Sequence, residues 1–141
     1  MIAYIDASVL IRIILQHPQA LPKWEEITLG VSSALLVVEC HRALDQLAHR
    51  GELSETDLAE KRSLLELFVP RLEIQQLDQR VLDMACQPLP TSLATLDAIH
   101  LATANIYRSK QSDDERPLAF ATHDRALAKA AKATHFEVLG A

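Results

Sequence analysis

Aromatic residues are scarce, at 4% of the 141-residue chain, while hydrophobic residues reach 49%. The core must therefore be built from Leu, Ile, Val and Ala, which favours helices packed on a small sheet. Cysteine is nearly absent. Cys40 and Cys86 both fall at apolar-face positions of predicted helices, and no secretory leader is expected. A disulfide framework is thereby excluded, and both are expected to be reduced core residues of a cytoplasmic protein. No apolar run has membrane-spanning length: the N-terminal stretch to Leu15 is interrupted by Asp6 and Arg12 and stops before Pro18, so no membrane anchor is expected. Positive charge is also short, with 14 Lys and Arg against 19 Asp and Glu and a net charge of −5. That balance is unusual for a protein whose affinity rests on a basic nucleic-acid footprint. Internal repeats are lacking, and the one strongly biased segment is SKQSDDERP, Ser109 to Pro117. What is present is enough chain for one domain, 1–141, which buries roughly 68% of its unfolded surface on folding.

Periodicity supplies the map. Ile2 to Ile5 is a short buried strand, followed by a helix over Ser8 to Gln16 that Pro18 ends. A short helix over Lys23 to Ile27 and a strand over Leu29 to Ser32 come next. Ser33 is the predicted N-cap of a long amphipathic helix that stops at Gly51, with Leu36, Val37, Cys40, Ala43, Leu44, Leu47 and Ala48 on its buried stripe. Ser54 caps a helix to Phe68, with Asp57 completing a capping box. Leu72 to Leu77 is a strand, Asp78 caps a helix to Cys86, and Thr95 opens an apolar helix to Arg108. The strand LAFAT, a helix from Asp124 to Lys132 and the strand FEVL complete the chain. Short buried strands alternating with helices predict an α/β, three-layer fold with a small, mostly parallel central sheet flanked by helices.

Ligands of such sheets bind at the carboxyl ends of the strands, and that is where the acids fall. Asp6 ends the first strand, Glu39 lies in the second turn of the long helix, Asp97 in the first turn of the Thr95 helix, and Asp124 follows LAFAT. Glu39 sits roughly 110° from the centre of its helix's apolar stripe, at the border of the core. Each acid taken alone has a plain structural role. Asp6 caps the next helix or faces a cation; Asp124 occupies an N-cap position; Asp97 suits the positive end of a helix dipole; Glu39 pairs with Arg42 at i,i+3. Four carboxylates at one edge, however, repel one another and call for a cation. Oxygen-only ligands point to a hard ion, Mg2+ or Mn2+, in one or two sites. Ser8 and Thr122 stand beside the first and last acids, either as ordinary helix-start and strand-end residues or as supports for a water or phosphate oxygen.

The strings YIDASVL, SSALLVVECHRAL, LDAIHLATA and FATHDRALAKAA follow the order and approximate spacing of the PIN-domain nucleases. Across nearly its whole length the chain resembles the small toxin members of VapBC-type toxin-antitoxin systems. That resemblance implies a metal-dependent endoribonuclease of PIN-like fold, a homodimer silenced by a cognate antitoxin. It carries the family's acids to Asp6, Glu39, Asp97 and Asp124, its hydroxyl residue to Thr122, and a polar residue to Ser8. Asp6 and Asp97 are expected as direct metal ligands, Asp124 as a direct or through-water ligand, and Glu39 as a ligand or positioner of the attacking water. The chain departs from the family in its loop Ser109 to Pro117, and in Thr134 and His135 where glycine is common before the last strand.

Arg125, Lys129 and Lys132 recur on one helix face beside Asp124, either as a phosphate-binding stripe or as a solvated face; Arg12 and Arg42 are further candidates for RNA phosphate contact. His41 and His123 are expected to be surface or packing residues. With so few aromatics to stack bases, RNA recognition would rest on loops and shape, with a modest salt dependence. Leu35 and Val38 either line a groove for the antitoxin or a dimer contact, or are buried under the following helix, and an antitoxin Arg is expected to reach the acidic pocket. Two rivals remain. A catalytically silent PIN-like module for RNA or protein would keep metal binding without turnover. A phosphotransfer or receiver-type domain would need a second acid near Asp6, where Tyr4, Ile5, Ala7 and Ser8 stand instead.

Overall fold

The computed structural model describes residues 1–112 and 117–141. Five strands, β1 (Ile2–Ile5), β2 (Leu29–Ser33), β3 (Glu73–Gln75), β4 (Leu118–Ala121) and β5 (Glu137–Leu139), join in one sheet of order β3-β2-β1-β4-β5. All four pairings are parallel. Parallel sheets are covered on both faces, which is why the central strands β1 (IAYI) and β4 (LAFA) are continuous apolar runs while the edge strands β3 (EIQ) and β5 (EVL) carry polar residues. The covering helices are α1 (Ala7–Ile14), α2 (Leu35–His49), α3 (Glu55–Phe68), α4 (Gln79–Ala85), α5 (Thr95–Lys110) and α6 (Arg125–Ala133). The three-layer α/β arrangement expected from the sequence is present.

Successive strand residues point to opposite faces, and β1 divides the core accordingly. Ala3 and Ile5 pack with Val9, Leu10, Leu36, Leu44 and Leu65 from α1, α2 and α3. Tyr4 packs on the other face with Phe120, Leu101, Leu127 and Ala131, beneath α5 and α6. Helix α4 leans on α5 through Val81, Ala102 and Ile106. Gly30, in β2, leaves room for its neighbours: a Cβ there would stand 2.6 Å from Leu72 Cδ2 and 2.7 Å from Ile5 Cδ1, so those side-chain ends would have to shift.

Helix starts follow the local signals where side chains decide them. Ser54 accepts the Asp57 N–H at 3.1 Å and Asp57 accepts the Ser54 N–H at 3.4 Å, the expected capping box. Asp78 caps α4 by accepting from Val81 at 3.0 Å. Ser33 is different. It ends β2 in register with Gln75, so ladder pairing takes its backbone, Ala34 occupies the cap position, and the Ser33 hydroxyl accepts the Leu35 N–H at 3.1 Å. The segment Lys23 to Ile27 forms only a 3-10 turn at Trp24–Glu26. Cys40 is buried as expected, but Cys86 is exposed. Helix α4 has seven residues with Val81 alone fully buried, and Cys86 is its C-cap, past the turn that reaches the core. Ser109 and Lys110 belong to α5, and residues 113–116 of the charged loop lie outside the described residues.

His135 closes α6 with a φ of 67°, the left-handed conformation for which glycine is the usual choice. The turn persists because its N–H bonds Lys132 O and the Phe136 N–H bonds Ala131 O, each at 3.0 Å, while Phe136 anchors it in the core.

Candidate active site

The chain leaves β1 for β2 on one side and reaches β4 on the other, so the carboxyl ends of β1 and β4 form the topological switch point where ligands of open parallel sheets bind. Asp6 stands there, one residue past β1, its N–H donating to Ala121 O at 3.2 Å. It is 4% exposed. Oδ1 accepts from the Ser8 hydroxyl at 2.6 Å and the Val9 N–H at 3.2 Å, and Oδ2 accepts from the Thr122 hydroxyl at 2.7 Å. Asp6 is therefore the N-cap of α1 as well as the most buried acid of the site. Burial pushes its carboxyl up from the ordinary range, opposed by these hydroxyl bonds.

The two hydroxyls stitch the strand ends together. Ser8 Oγ accepts the His123 N–H at 2.9 Å, and Thr122 Oγ1 accepts the Asp124 N–H at 3.0 Å. Since each donates its only hydrogen to Asp6, what either can offer a further ligand is lone pairs. Asp124 is the N-cap of α6, accepting from Leu127 at 2.8 Å, and is exposed.

Helix α5 precedes β4 and runs antiparallel to it, which returns its first turn to the carboxyl edge. Asp97 sits in that turn, half-buried. Its carboxyl is pushed up to about 6, first by burial, then by the charges of Asp124 and Asp6, with Glu39 adding to them. All three other acids thus act on Asp97, so the four are one electrically coupled group.

Glu39 borders the core, its side chain 22% exposed. It does not pair with Arg42, which instead bonds Asp45 on the outer face of α2. Glu39 Oε1 bonds His100 Nε2, and His100 Nδ1 lies 2.7 Å from the Tyr4 hydroxyl. His100, 1% exposed, was absent from the candidates read from the sequence. The available signal was its position three residues after Asp97, one helical turn along, beside the buried Leu101.

Of the other candidates, Arg12 donates to Gln19 O at 3.1 Å and Arg42 is held by Asp45, so both are engaged locally. Arg125, Lys129 and Lys132 are exposed, opposite the buried Leu127, Ala128, Ala130 and Ala131 of α6. His123 packs against Gly140, with Nδ1 2.9 Å from its carbonyl, and His41 is half-buried. Val38 is 58% exposed, so burial under the next helix does not apply to it; Leu35 is half-buried.

The donor set fits a hard divalent ion: carboxylate oxygens, one of them deeply buried and held by hydroxyls, at an edge where like charges already raise one another. Among the described residues no three His, Cys, Asp or Glu side chains converge into a ready-made cage. The site is thus a cluster of mutually repelling carboxylates short of a complete coordination shell. Among those residues, too, no helix is long and apolar enough to cross a membrane.

Comparison with known proteins concerns the fold and the family. Ribonuclease VapC46 of Mycobacterium tuberculosis (strain ATCC 25618 / H37Rv) is 38% identical over 104 residues, 72% of this chain and 72% of that protein. A toxin-antitoxin complex from Klebsiella pneumoniae contains a chain of the same fold, with a TM-score of 0.62 at 19% identity, covering 89% of this chain and 90% of that one. VapBC2 from Rickettsia felis, bound to a DNA fragment from their promoter, aligns with a TM-score of 0.67 at 13% identity over 98% of this chain and 97% of its own. The family model described as PIN domain matches residues 3–133, from β1 to the end of α6; this chain belongs to the PIN domain family.

Proposed function

We propose that this chain is a divalent-metal-dependent endoribonuclease, the toxin of a toxin-antitoxin pair, with residues 1–141 acting as one nuclease domain. The observation that carries the reading is the coupling of Asp6, Glu39, Asp97 and Asp124 at the β1/β4 switch point, with Asp97 raised to about 6 by burial and by the other acids. Family membership supports divalent-metal chemistry, and the relative named a ribonuclease supports RNA as the substrate. Mg2+ or Mn2+ is the ion we assign, in one or two sites. When bound, such an ion supplies polarisation of the scissile phosphate and activation of a water for in-line attack. Asp6 and Asp97 are the direct ligands in this reading, Asp124 a direct or through-water ligand, and Glu39 a ligand or the group that orients the attacking water.

The chain's own contribution is placement. Ser8 and Thr122 fix both oxygens of Asp6 before any ligand arrives. The N-terminal ends of α5 and α6 face the same edge and favour the phosphate's negative charge. Arg125 and Lys129, exposed on α6 next to Asp124, are the phosphate contacts we assign to the RNA backbone. The homodimer and the cognate antitoxin are partners in this reading, in the cytoplasm, and the toxin-antitoxin assemblies of the same fold support the antitoxin.

The test is cleavage of a panel of cellular RNAs by the purified, antitoxin-free chain with Mg2+ or Mn2+, beside chelator and Asp97→Asn controls. Discrete cuts abolished by both controls are expected. An intact panel, with Mn2+ binding retained and lost in Asp97→Asn, would replace the nuclease by a PIN-fold binding module.

A further inference from the structure

We infer that His100 is a positioning residue for Glu39: it holds one carboxylate oxygen from inside the core and leaves the other as the atom that serves the site. This inference rests on the proposed metal-site reading of Glu39. The contact joins three elements. His100 Nε2, on α5, bonds Glu39 Oε1, on α2, and His100 Nδ1 lies 2.7 Å from Tyr4 Oη, on β1. An ionised carboxylate only accepts hydrogen bonds, so Nε2 carries the hydrogen and donates. The ring is held on both sides. Tyr4 is fully buried, meets the imidazole edge-on with ring centres 5.8 Å apart, and stacks on Phe120 at 5.0 Å.

Two consequences follow from that arrangement. Rotating the imidazole, itself buried, would break both bonds, so the ring fixes Oε1 where a solvent-exposed partner would not. Glu39 Oε2 has no hydrogen-bond partner among the described residues, so Glu39 enters the site as a one-oxygen group. Partners that orient a metal-ligating or water-positioning carboxylate from behind typically change metal affinity when removed, even though they never touch the ion.

Two measurements on the full chain test the assignment. Calorimetry with Mn2+ on the chelator-stripped protein is expected to show binding weakened ~10-fold or more in His100→Leu and restored to within ~3-fold of wild type in His100→Gln, whose amide reaches the Nε2 position. Proton NMR of the same metal-free protein is expected to show a protected imidazole N–H resonance that vanishes in His100→Gln and shifts in Glu39→Gln. Far-UV circular dichroism establishes that each variant is folded, and His100→Gln keeps the test alive if His100→Leu is not. Wild-type Mn2+ affinity in a folded His100→Leu, or failure of His100→Gln to restore binding, overturns the positioning role alone. An N–H resonance indifferent to Glu39→Gln does the same. Absence of Mn2+ binding by the wild-type chain overturns the metal reading of Glu39 and this inference with it.

Discussion

Replacing Asp97 by Asn should make the metal-free protein more stable while abolishing its activity. The carboxyl of Asp97 is raised from 3.8 to about 6. A displacement of that size corresponds to ~3 kcal/mol between the two protonation states at 1.36 kcal/mol per pKa unit. Asp97 is only half-buried, and solvent screening of a partly exposed group reduces this to ~1 kcal/mol. Asparagine has nearly the same shape and removes the charge. Among the described residues the Asp97 side chain makes no hydrogen bond that the substitution would break. For a chain of this size ~1 kcal/mol corresponds to ~3 °C in Tm.

The pH dependence carries the sign. A carboxyl whose folded pKa lies above its unfolded value binds more protons in the folded state between the two. Stability is therefore greatest below the unfolded pKa of 3.8, falls as pH rises towards about 6, and stays reduced above that. The gain from Asp97→Asn should thus be near zero at pH 4 and complete by pH 7.5. Thermal denaturation in the presence of chelator, at both pH values, reads it directly. Adding Mn2+ should reverse the order of the two proteins, because at 100 times its Kd a ligand that binds only the folded state stabilises by ~2.7 kcal/mol, and the Asn variant has lost an anion of the proposed ligand set. A metal-free Asn variant no more stable than wild type at pH 7.5, or a difference of equal size at pH 4, would refute the argument that these acids are coupled.

Other positions give sharper packing and backbone tests. Thr122→Val removes a donor to the buried Asp6 carboxylate and the acceptor of the Asp124 N–H, and should cost ~1.5–3 kcal/mol in urea denaturation, as expected for a hydrogen bond to a charged group. Gly30→Ala forces the ends of Leu72 and Ile5 aside from contacts of 2.6 and 2.7 Å, and should lower stability by ~1–3 kcal/mol, the usual cost of overpacking. His135→Gly relieves a left-handed backbone and should stabilise by ~0.5–1 kcal/mol, read as a raised Tm with RNA cleavage unchanged.

What could be read from the sequence follows from how local each signal is. Asp6, Asp78, Ser54 and Asp124 announce themselves because a cap and the helix it starts are neighbours in the chain, and the structure has all four in that role. Asp97 was legible because a helix that precedes a parallel strand must begin at the carboxyl edge. Glu39 was legible as a candidate, but its partner was not. The local choice, Arg42, lies on the outer face and bonds Asp45, whereas the observed partner, His100, is 61 residues away. Tyr4 is 96 residues from His100, and no spacing rule brings β1, α2 and α5 together at one point. Ser33 failed for a related reason: its cap signal was real, yet pairing with β3, a non-local interaction, decided its backbone.

The order of burial across the site explains how repelling acids can be kept together in a stable fold. Asp6 is nearly inaccessible, Glu39 and Asp97 are intermediate, and Asp124 is exposed. The cost of keeping a carboxylate charged rises with burial, so the deepest acid needs the most hydrogen bonds to remain ionised. Asp6 has the most, from Ser8, Val9 and Thr122, yet burial outweighs them and still pushes its carboxyl up. Asp124, at the exposed end, makes its cap contact with Leu127. Asp97 lies between, with burial but no hydrogen bond to offset it among the described residues, and it is the acid raised to about 6. In the proposed site a cation would offset disfavoured charge at both Asp6 and Asp97, and at Asp97 no hydrogen-bond donor among the described residues competes for its oxygens. In the proposed site, Asp6 and Asp124 are N-caps whose carboxylates already accept backbone N–H groups, whereas Asp97, in the first turn of α5, is the acid whose oxygens are left to close on an ion.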